Sequence, residues 1–379
     1  MLDEGDPFNN LKLDQSIAKI KSRNIFGEIK NKITNGSSAN QKIIEIEVEE
    51  KPTGEISAGA GIGTTGGSFA FNVSENNWLG KGVKVSTFVD VSADSFTGGV
   101  EFNNPNHNFS GNALTYFFTN TSNDKPDSGF KNNISQTGIG TRFEQYKNIY
   151  LAPSLTLSYD DLKVQSTASE SLKNQKGTFT DLSFDYSISL DNRDKVYAPT
   201  DGYISSFSQG LPIYSDSPYI RNAYAFSKYK ALSSDAIGTF KIYAMAVNGL
   251  SDKDVRLNQR AKLSTSRLRG FKAGKIGPKD GKDYVGGNYA MASNFEIALP
   301  NFLPESTKTD VGLFLDFGNV WSVDYDKKID DSNAIRSSTG INTSWLSPVG
   351  PMTFVFSQNL SKASTDVTES FNFKLGTTF

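Results

Sequence analysis

One pattern repeats along most of this chain, from Glu55 to Phe379: a run of roughly ten residues with every second side chain apolar, followed by a turn. Alternation with a period of two is typical of a β-strand that has one apolar and one polar face. We identify about sixteen such runs, each about as long as a tilted strand that crosses a bilayer. The predicted strands are 55–63, 67–75, 82–90, 96–103, 112–120, 130–142, 149–160, 177–190, 202–210, 220–232, 238–247, 288–300, 309–320, 335–346, 350–359 and 370–379.

The two faces of these runs differ in chemistry. In the run 177–190, one face carries Leu182, Phe184, Tyr186, Ile188 and Leu190, and the other carries Ser183, Asp185, Ser187 and Ser189. Lipid disfavours unpaired strand edges, and closing the sheet removes them. The pattern therefore predicts an all-β membrane protein, an antiparallel transmembrane β-barrel of about 16 strands. A large soluble β protein and a β-helix are the alternatives that the alternation leaves open.

Composition narrows the functional classes. The 39 basic and 41 acidic side chains give a net charge of -2, so no nucleic-acid partner is predicted. Cys is absent, and the single His, His107, lies in a turn-like stretch, which leaves no Cys metal site and no catalytic triad. The glycines within 59–67 are not followed by a helix, as a phosphate-binding loop would be. We predict no catalytic residue, no metal site and no cofactor, and therefore no enzyme.

Residues 1–53 follow a different pattern. Leu13, Ile17 and Ile20 recur at helical spacing. The stretches 26–34 and 41–50 alternate as strands do, and a turn separates them. We predict the order helix, strand, turn, strand. The segment is too short for a large core of its own.

A long polar segment, about 250–287, interrupts the strands and contains Arg267-Leu268-Arg269-Gly270-Phe271. Loops of this length inside a compact fold are uncommon and are usually functional or disordered. A solvated surface loop is the simplest interpretation of the segment alone. The Arg-Gly-Phe sequence, however, combines a planar cation, a flexible joint and an apolar side chain.

Two acidic residues on predicted strands give this loop a partner. Glu296 alternates with Phe295 and Ile297, and Asp316 alternates with Leu315 and Phe317. Because the aromatic and aliphatic face meets lipid, both carboxylates are predicted to point into the lumen. We predict that the guanidinium of Arg269 docks on Asp316, with Glu296 nearby, and holds the loop inside the barrel. A polar lumen with no loop attached is the alternative.

Several short motifs, taken together and in order, resemble the Omp85 superfamily and, within it, the BamA-type outer-membrane assembly factors. The resemblance spans almost the whole chain. Arg267–Phe271 resembles the family's (V/I/L)RG(F/Y) loop motif, and Phe314–Trp321 resembles its strand with a central Asp-x-Gly. The other matching segments are Asn77–Gly82, Asp191–Asp194 with Pro199–Tyr203, Gly286–Asn288 with Ser293–Glu296, and Ser347–Pro351. Gly5–Asn9, Ser22–Phe26 and Val48–Gly54 resemble the family's last POTRA module.

The resemblance implies a division at about residue 54. Residues 1–53 would be a partial α/β POTRA module whose first strand, with any earlier modules and a signal peptide, lies upstream. Residues 54–379 would be the barrel. The implied function is a nucleotide-independent insertase of the bacterial outer membrane, with the POTRA part in the periplasm. Implied partners are unfolded outer-membrane proteins, the lipid bilayer, and accessory outer-membrane lipoproteins that bind the POTRA modules. A two-partner secretion pore or another Omp85 transporter is the alternative function.

The resemblance also implies a lateral seam between the first and last barrel strands. Glycines on the first strand and near the end of the last strand weaken strand pairing there. An opened seam would offer unpaired N–H and C=O groups to a substrate strand. We place Ser57 near Lys374 across the seam, and Phe379 matches the aromatic ending of outer-membrane proteins. The predicted seam residues are Ser57, Gly59, Gly61, Gly63, Lys374, Gly376 and Phe379.

Overall fold

The structure of the chain is a computed structural model. It describes residues 4–38, 40–108, 111–300, 302–326, 329, 335–347 and 350–376. Phe379, a predicted seam residue, and Pro348-Val349 of the predicted hairpin turn therefore lie outside the described residues.

The regular elements cover most of the described chain. In chain order they are α1 (Asn10–Ser22), β1 (Phe26–Asn35), β2 (Lys42–Glu50), β3 (Gly54–Gly63), β4 (Gly66–Trp78), β5 (Val83–Ser92), β6 (Ser95–Asn104), β7 (Ala113–Lys125), β8 (Phe130–Tyr146), β9 (Ile149–Val164), α2 (Glu170–Lys173), β10 (Gly177–Asp191), β11 (Asp201–Ser215), β12 (Tyr219–Ser233), β13 (Ala236–Gly249), β14 (Lys279–Asp280), β15 (Asp283–Tyr284), β16 (Tyr289–Leu299), β17 (Thr309–Trp321), β18 (Arg336–Ser347), β19 (Gly350–Ser361) and β20 (Phe371–Gly376). Neither of these helices has the length and apolar character needed to cross a membrane.

The long strands close into one barrel. Strands β3 to β13 and β16 to β20 each pair with the next, and β20 pairs with β3, which gives 16 strands in an antiparallel ring. The predicted 16-stranded barrel is confirmed, and every predicted run corresponds to one strand. Some strands, such as β7, extend beyond their predicted ends. Their extra residues, such as Thr121–Lys125, are polar on both faces, so alternation does not mark them.

The barrel has two distinct ends and two distinct faces. We call the end where Gly54 begins β3 the near end, and the opposite end the far end. Outward side chains are apolar and exposed, as at Phe295 and Leu313, whereas inward neighbours such as Asn294 and Asp316 are buried. An apolar exterior around a polar interior is the arrangement that lipid requires of a barrel.

The N-terminal residues have the predicted order of helix, strand, turn and strand. The side chain of Asn9 accepts hydrogen bonds from the main-chain N–H groups of Leu11 and Lys12, which caps α1. Leu13 and Ile17 are buried, and β1 pairs with β2. Arg23 Nη2 donates to the carbonyl of Gly82, in the turn between β4 and β5, at 3.1 Å. This contact joins the segment to the near end of the barrel.

Candidate functional site

The segment between β13 and β16, residues 250–288, lies inside the barrel at its far end; we call it the lumen loop. It carries two very short strands, β14 and β15, which pair with each other. Leu268, Phe271 and Ile276 of the loop are buried together with Val320 of the barrel wall in an apolar cluster. The lumen loop is therefore packed as a core, because its apolar side chains have no other surface to cover.

Arg269 connects the lumen loop to two barrel strands. Its Nε lies 2.7 Å from Asp316 Oδ2, and its Nη2 lies 2.8 Å from Asp316 Oδ1. Its Nη1 lies 2.7 Å from Glu296 Oε2, and its main-chain N–H donates to Asp316 Oδ2 at 3.1 Å. The guanidinium also lies over the Phe314 ring, 3.7 Å from the centroid. The structure thus places Arg269 against both acids that strand parity aims into the lumen.

The ion pair between Arg269 and Asp316 is almost completely buried, so it has a large effect on the stability of the docked loop. The Asp316 side chain is 0% exposed and that of Arg269 is 12% exposed. Burial alone lowers the pKa of the Arg269 guanidinium, but the hydrogen bonds and charges of Asp316 and Glu296 raise that pKa above its ordinary value. Without Arg269, the Asp316 carboxylate would be a buried charge that has lost this counterion, which costs several kcal/mol. The pair therefore makes docking of the loop close to obligatory.

The residues beside Arg269 hold the same position by other contacts. The Arg267 guanidinium lies over the Tyr243 ring, 3.1 Å from the centroid, and the Arg267 carbonyl accepts from Asn294 Nδ2 at 2.9 Å. Gly270 has φ of +85°, and an added Cβ would lie 3.1 Å from the Ser338 side chain. A side chain at this position would meet both backbone strain and the barrel wall. The motif therefore needs glycine here.

The lumen loop also pairs with the segment that leads into β20. Lys272 N–H donates to the Val367 carbonyl at 3.0 Å, and Val367 N–H donates to the Lys275 carbonyl at 3.1 Å. Glu369 N–H donates to the Gly270 carbonyl at 2.9 Å. These bonds form a short antiparallel ladder that begins at Gly270 of the motif and ends at Lys275. Sequence reasoning missed it, because residues 362–370 look like an ordinary turn-rich connection.

A buried ion pair fixes the same lead-in segment to the wall. Arg336 Nε and Nη2 each lie 2.9 Å from an Asp366 carboxylate oxygen, and both side chains are 0% exposed. Arg336 begins β18 at the far end. The lead-in to β20 is therefore held on one side by the lumen loop and on the other by β18. The sequence does not predict this pair, because Arg336 lies on a strand, Asp366 lies in a connection 30 residues later, and neither belongs to a motif.

Three further cations anchor the upstream half of the lumen loop. Arg256 pairs with Asp181, and Arg260 pairs with Asp324. Lys262 donates to Ser128 and to the Tyr284 carbonyl. Burial lowers the pKa of the Lys262 ammonium to about 8. The dense charge of the loop is visible in the sequence, but the partner of each cation is not.

The seam between β20 and β3 differs from the prediction in register. Lys374 pairs with Gly63, Leu375 with Ile62 and Gly376 with Gly61. The placement of Ser57 near Lys374 is wrong: Ser57 pairs with Asn72 of β4, and no described residue of β20 faces it. Gly59 likewise has a described partner only on β4, Ala70. The alternation of apolar and polar residues determines which face of the sheet a side chain is on, but it does not determine which residue it pairs with across the seam.

Gly376 is the tightest point of the described seam. Its φ is +141°, and an added Cβ would lie 2.4 Å from the Ala60 carbonyl oxygen. Only glycine fits so close an approach between two backbones. Gly61 faces it, so the seam is built from backbone contacts with little side-chain packing.

A cavity of about 470 Å³ separates the lumen loop from the seam. Arg269, Glu296 and Lys241 line one part, and Glu369, Lys374 and Thr65 line another. The cavity is polar and charged, as a water-filled lumen is. Among the described residues, no group of three or more His, Asp or Glu side chains is placed to hold a metal ion.

Comparisons with known proteins agree with this geometry. The model of the Omp85 superfamily domain matches residues 77–379. Two curated relatives carry the name outer membrane protein assembly factor BamA. The protein of Neorickettsia risticii is 25% identical over 391 residues, covering 100% of this chain and 52% of its own length. The protein of Neisseria meningitidis is 24% identical, covering 99% of this chain and 53% of its own length.

The chain spans about half the length of these curated relatives. Among solved structures, BamA from Haemophilus ducreyi lacking POTRA domains 1–3 superposes with a TM-score of 0.89. That match has 22% sequence identity and covers 100% of this chain and 80% of the other. At this identity the likeness shows the fold.

Proposed function

This chain belongs to the Omp85 superfamily, and from that membership we propose that it is the membrane-embedded part of an outer-membrane protein assembly factor. In this proposal it folds and inserts other β-barrels through the seam between β3 and β20, without nucleotide. Residues 4–53 act as the end of a POTRA series in the periplasm. The near end of the barrel then faces the periplasm, and the far end faces the cell exterior.

The observation that carries the proposal is the glycine content of the described seam between β3 and β20. Glycine occurs in two of the three described pairs, Gly63 with Lys374 and Gly61 with Gly376. Glycine adds no side-chain packing to a strand pair and weakens it. Unpaired N–H and C=O groups of a strand edge are a template for another strand. Opening this weakly packed seam would expose such groups on β3 and β20.

In this proposal the lumen loop holds the last strand in place next to the edge of β3. Through the ladder at Val367 and Glu369 it holds the lead-in to β20, so the last strand starts from a fixed point. Arg269 and Asp316 fix the loop itself. We propose that this docking keeps the far part of the seam closed while the part of β3 nearer Gly54 receives substrate. The predicted site residues thereby have distinct roles: Arg267–Phe271, Asp316 and Glu296 hold the loop, and Gly61, Gly63, Lys374 and Gly376 form the seam.

The proposed partners follow from the proposed role in outer-membrane assembly. Unfolded outer-membrane proteins are the substrates, and accessory outer-membrane lipoproteins bind through the POTRA modules. The names of the curated relatives support a role in outer-membrane assembly. The proposal includes no enzymatic step, because strand exchange makes and breaks hydrogen bonds alone.

A reversible lock on the seam tests the proposal. The chain has 0 cysteines, so the double variant Ile62→Cys with Leu375→Cys introduces one possible disulfide across a described pair. A matched control is Ile341→Cys with Phe356→Cys, an outward-facing pair between β18 and β19. In the full protein, oxidation of the seam pair is expected to stop insertion of a reporter barrel into liposomes, and reduction is expected to restore it. The oxidised control pair is expected to remain active.

Normal insertion by the oxidised seam variant would contradict lateral opening. Two-partner secretion is the competing function, and it predicts a different product. A secretion pore would release a soluble partner protein across the membrane, and locking the seam would leave that release unchanged.

A further inference from the structure

A groove of about 490 Å³ lies on the outer wall of the barrel, on the side formed by β12, β13, β16 and β17. Its walls and floor are apolar, and come from Phe240, Phe295, Ile297 and Leu313. The groove lies towards the near end, since Gly238 is close to the start of β13 and Ile297 is close to the end of β16. It belongs neither to the lumen loop nor to the seam.

A glycine opens the groove. Gly238 pairs with Ile297 on one side and with Lys230 on the other, and its outward position carries no side chain. A Cβ added there would project towards the Leu232 side chain, 3.2 Å away. Beside the gap, the Phe240 and Phe295 rings form a continuous apolar floor with centroids 4.7 Å apart. The result is an apolar channel that crosses β12, β13, β16 and β17, which at the usual strand spacing is about 14 Å across.

Two lysines lie at one end of this channel. Lys228 and Lys230 both line it and face outward, where a barrel normally presents apolar side chains to lipid. Lys230 lies 2.7 Å from Asp201 of β11. Lys228 has no hydrogen bond or ion pair within the described part of the chain, and it faces Tyr203 and Phe240 across its strand neighbours. An ammonium group at the membrane surface is stabilised by anionic lipid headgroups.

We propose that this groove binds a phospholipid of the leaflet at the near end of the barrel. One acyl chain lies in the channel over Phe240, Phe295 and Leu313, and the phosphate accepts hydrogen bonds from Lys228. Charge complementarity selects the headgroup, and the missing side chain of Gly238 makes room for the chain. The proposal requires that the barrel lies in a membrane, but it does not depend on lateral opening.

Binding of phosphatidylglycerol, measured by native mass spectrometry of the detergent-solubilised full protein, tests the site. The wild-type protein is expected to retain one lipid through delipidation. Lys228→Gln is expected to weaken that binding about fivefold, which is the usual effect of one lysine at an anionic lipid surface. Gly238→Val fills the channel and is expected to remove the retained lipid. Migration of unheated samples on a gel verifies that each variant is a folded barrel.

Two control variants separate the site from general lipid contact. Gly98 also faces outward, and an added Cβ there has its nearest neighbours at 3.8 Å, so Gly98→Val changes the wall away from the groove. Lys147 is an exposed lysine in a near-end turn, and Lys147→Gln removes a charge outside the groove. Both controls are expected to retain the lipid. Equal retention by Gly238→Val and wild type, or equal loss in Gly98→Val, would overturn the proposal, and so would an affinity of Lys228→Gln that equals the wild type's.

Discussion

Arg269 meets Asp316 with two side-chain nitrogens and its own main-chain N–H, and the Asp316 side chain is 0% exposed. This fully enclosed carboxylate, on the inner face of a barrel strand, is neutralised by a cation that belongs to the loop from the far end. The contact therefore connects two distant parts of the chain, β17 and the lumen loop. Through the Gly270 and Lys272 bonds to residues 367–369, it also reaches the start of the last strand.

Replacement of Arg269 by Ala is expected to release the lumen loop. The variant leaves the Asp316 carboxylate buried without a counterion, which costs about 3–5 kcal/mol. Limited proteolysis of intact cells or proteoliposomes measures the effect, since the loop should become cleavable while the barrel persists. Arg269→Ala combined with Asp316→Asn removes the orphaned charge and is expected to recover part of the protection. Unchanged protection in the single variant would count against the docking role.

Replacement of Asp366 by Asn is expected to loosen the seam from a distance. The change breaks the buried pair with Arg336, which holds the lead-in to β20 against β18. Disulfide formation in the double variant Ile62→Cys with Leu375→Cys reports how often the seam strands are paired, and its yield should fall. Asp124→Asn is a suitable control, because its pair with Lys131 is exposed and contributes little. If the yield is the same in both, the lead-in does not control the seam.

Replacement of Gly376 by Val is expected to break the described pairing of β20 with β3. A side chain at this φ is strained, and its Cβ would collide with the Ala60 carbonyl. The same disulfide assay should show a lower yield, together with a lower temperature for loss of the folded gel species. Gly67→Ala, where the nearest atom to the new Cβ lies at 3.9 Å, should behave as wild type. A folded, fully cross-linkable Gly376→Val protein would mean that the seam is paired differently.

The lumen loop is expected to become more stably docked as the pH rises above 8. Burial lowers the pKa of Lys262 to about 8, below its ordinary value of 10.5, so the unfolded state binds more protons in that interval. Stability therefore increases with pH through this window. Hydrogen exchange of residues 255–265 at pH 7.5 and 9.5, corrected for intrinsic rates, measures the change. Lys262→Met should abolish it, and Lys272→Met, at an exposed position, should preserve it. A pH response that persists in Lys262→Met would assign it to another group.

Much of the fold followed from the period of two in the sequence. The same period of two predicts that the side chains of Asp316 and Glu296 point into the lumen, because a carboxylate on the opposite face would meet lipid. Once both acids pointed inward, a bidentate cation on the long loop was their natural partner, and the structure has Arg269 there. The contribution of this contact to function stays a prediction.

The features of the structure that the sequence did not predict have one property in common. They depend on which residues lie side by side on neighbouring strands, and the alternation of apolar and polar residues does not determine this. We predict Ser57 near Lys374, whereas Gly63 lies opposite Lys374, because the alternation of side chains does not determine the register across the seam. Asp366 and Arg336 gave no local signal, since neither the connection around Asp366 nor the start of β18 at Arg336 indicates a partner. The same is true of Lys228 and Gly238, which become a groove only when β12 and β13 lie side by side.

The sequence by itself determined the number of strands, the face that each side chain takes, and the sign of the charge that the lumen loop must carry. These properties are local, because they follow from the pleat of a strand and from the solvent on each side of it. The tertiary structure alone decided the register of the seam, the ladder between the lumen loop and residues 367–369, and the gap at Gly238. These properties are non-local, since each requires two segments far apart in sequence to be fixed at one distance by the closure of the barrel.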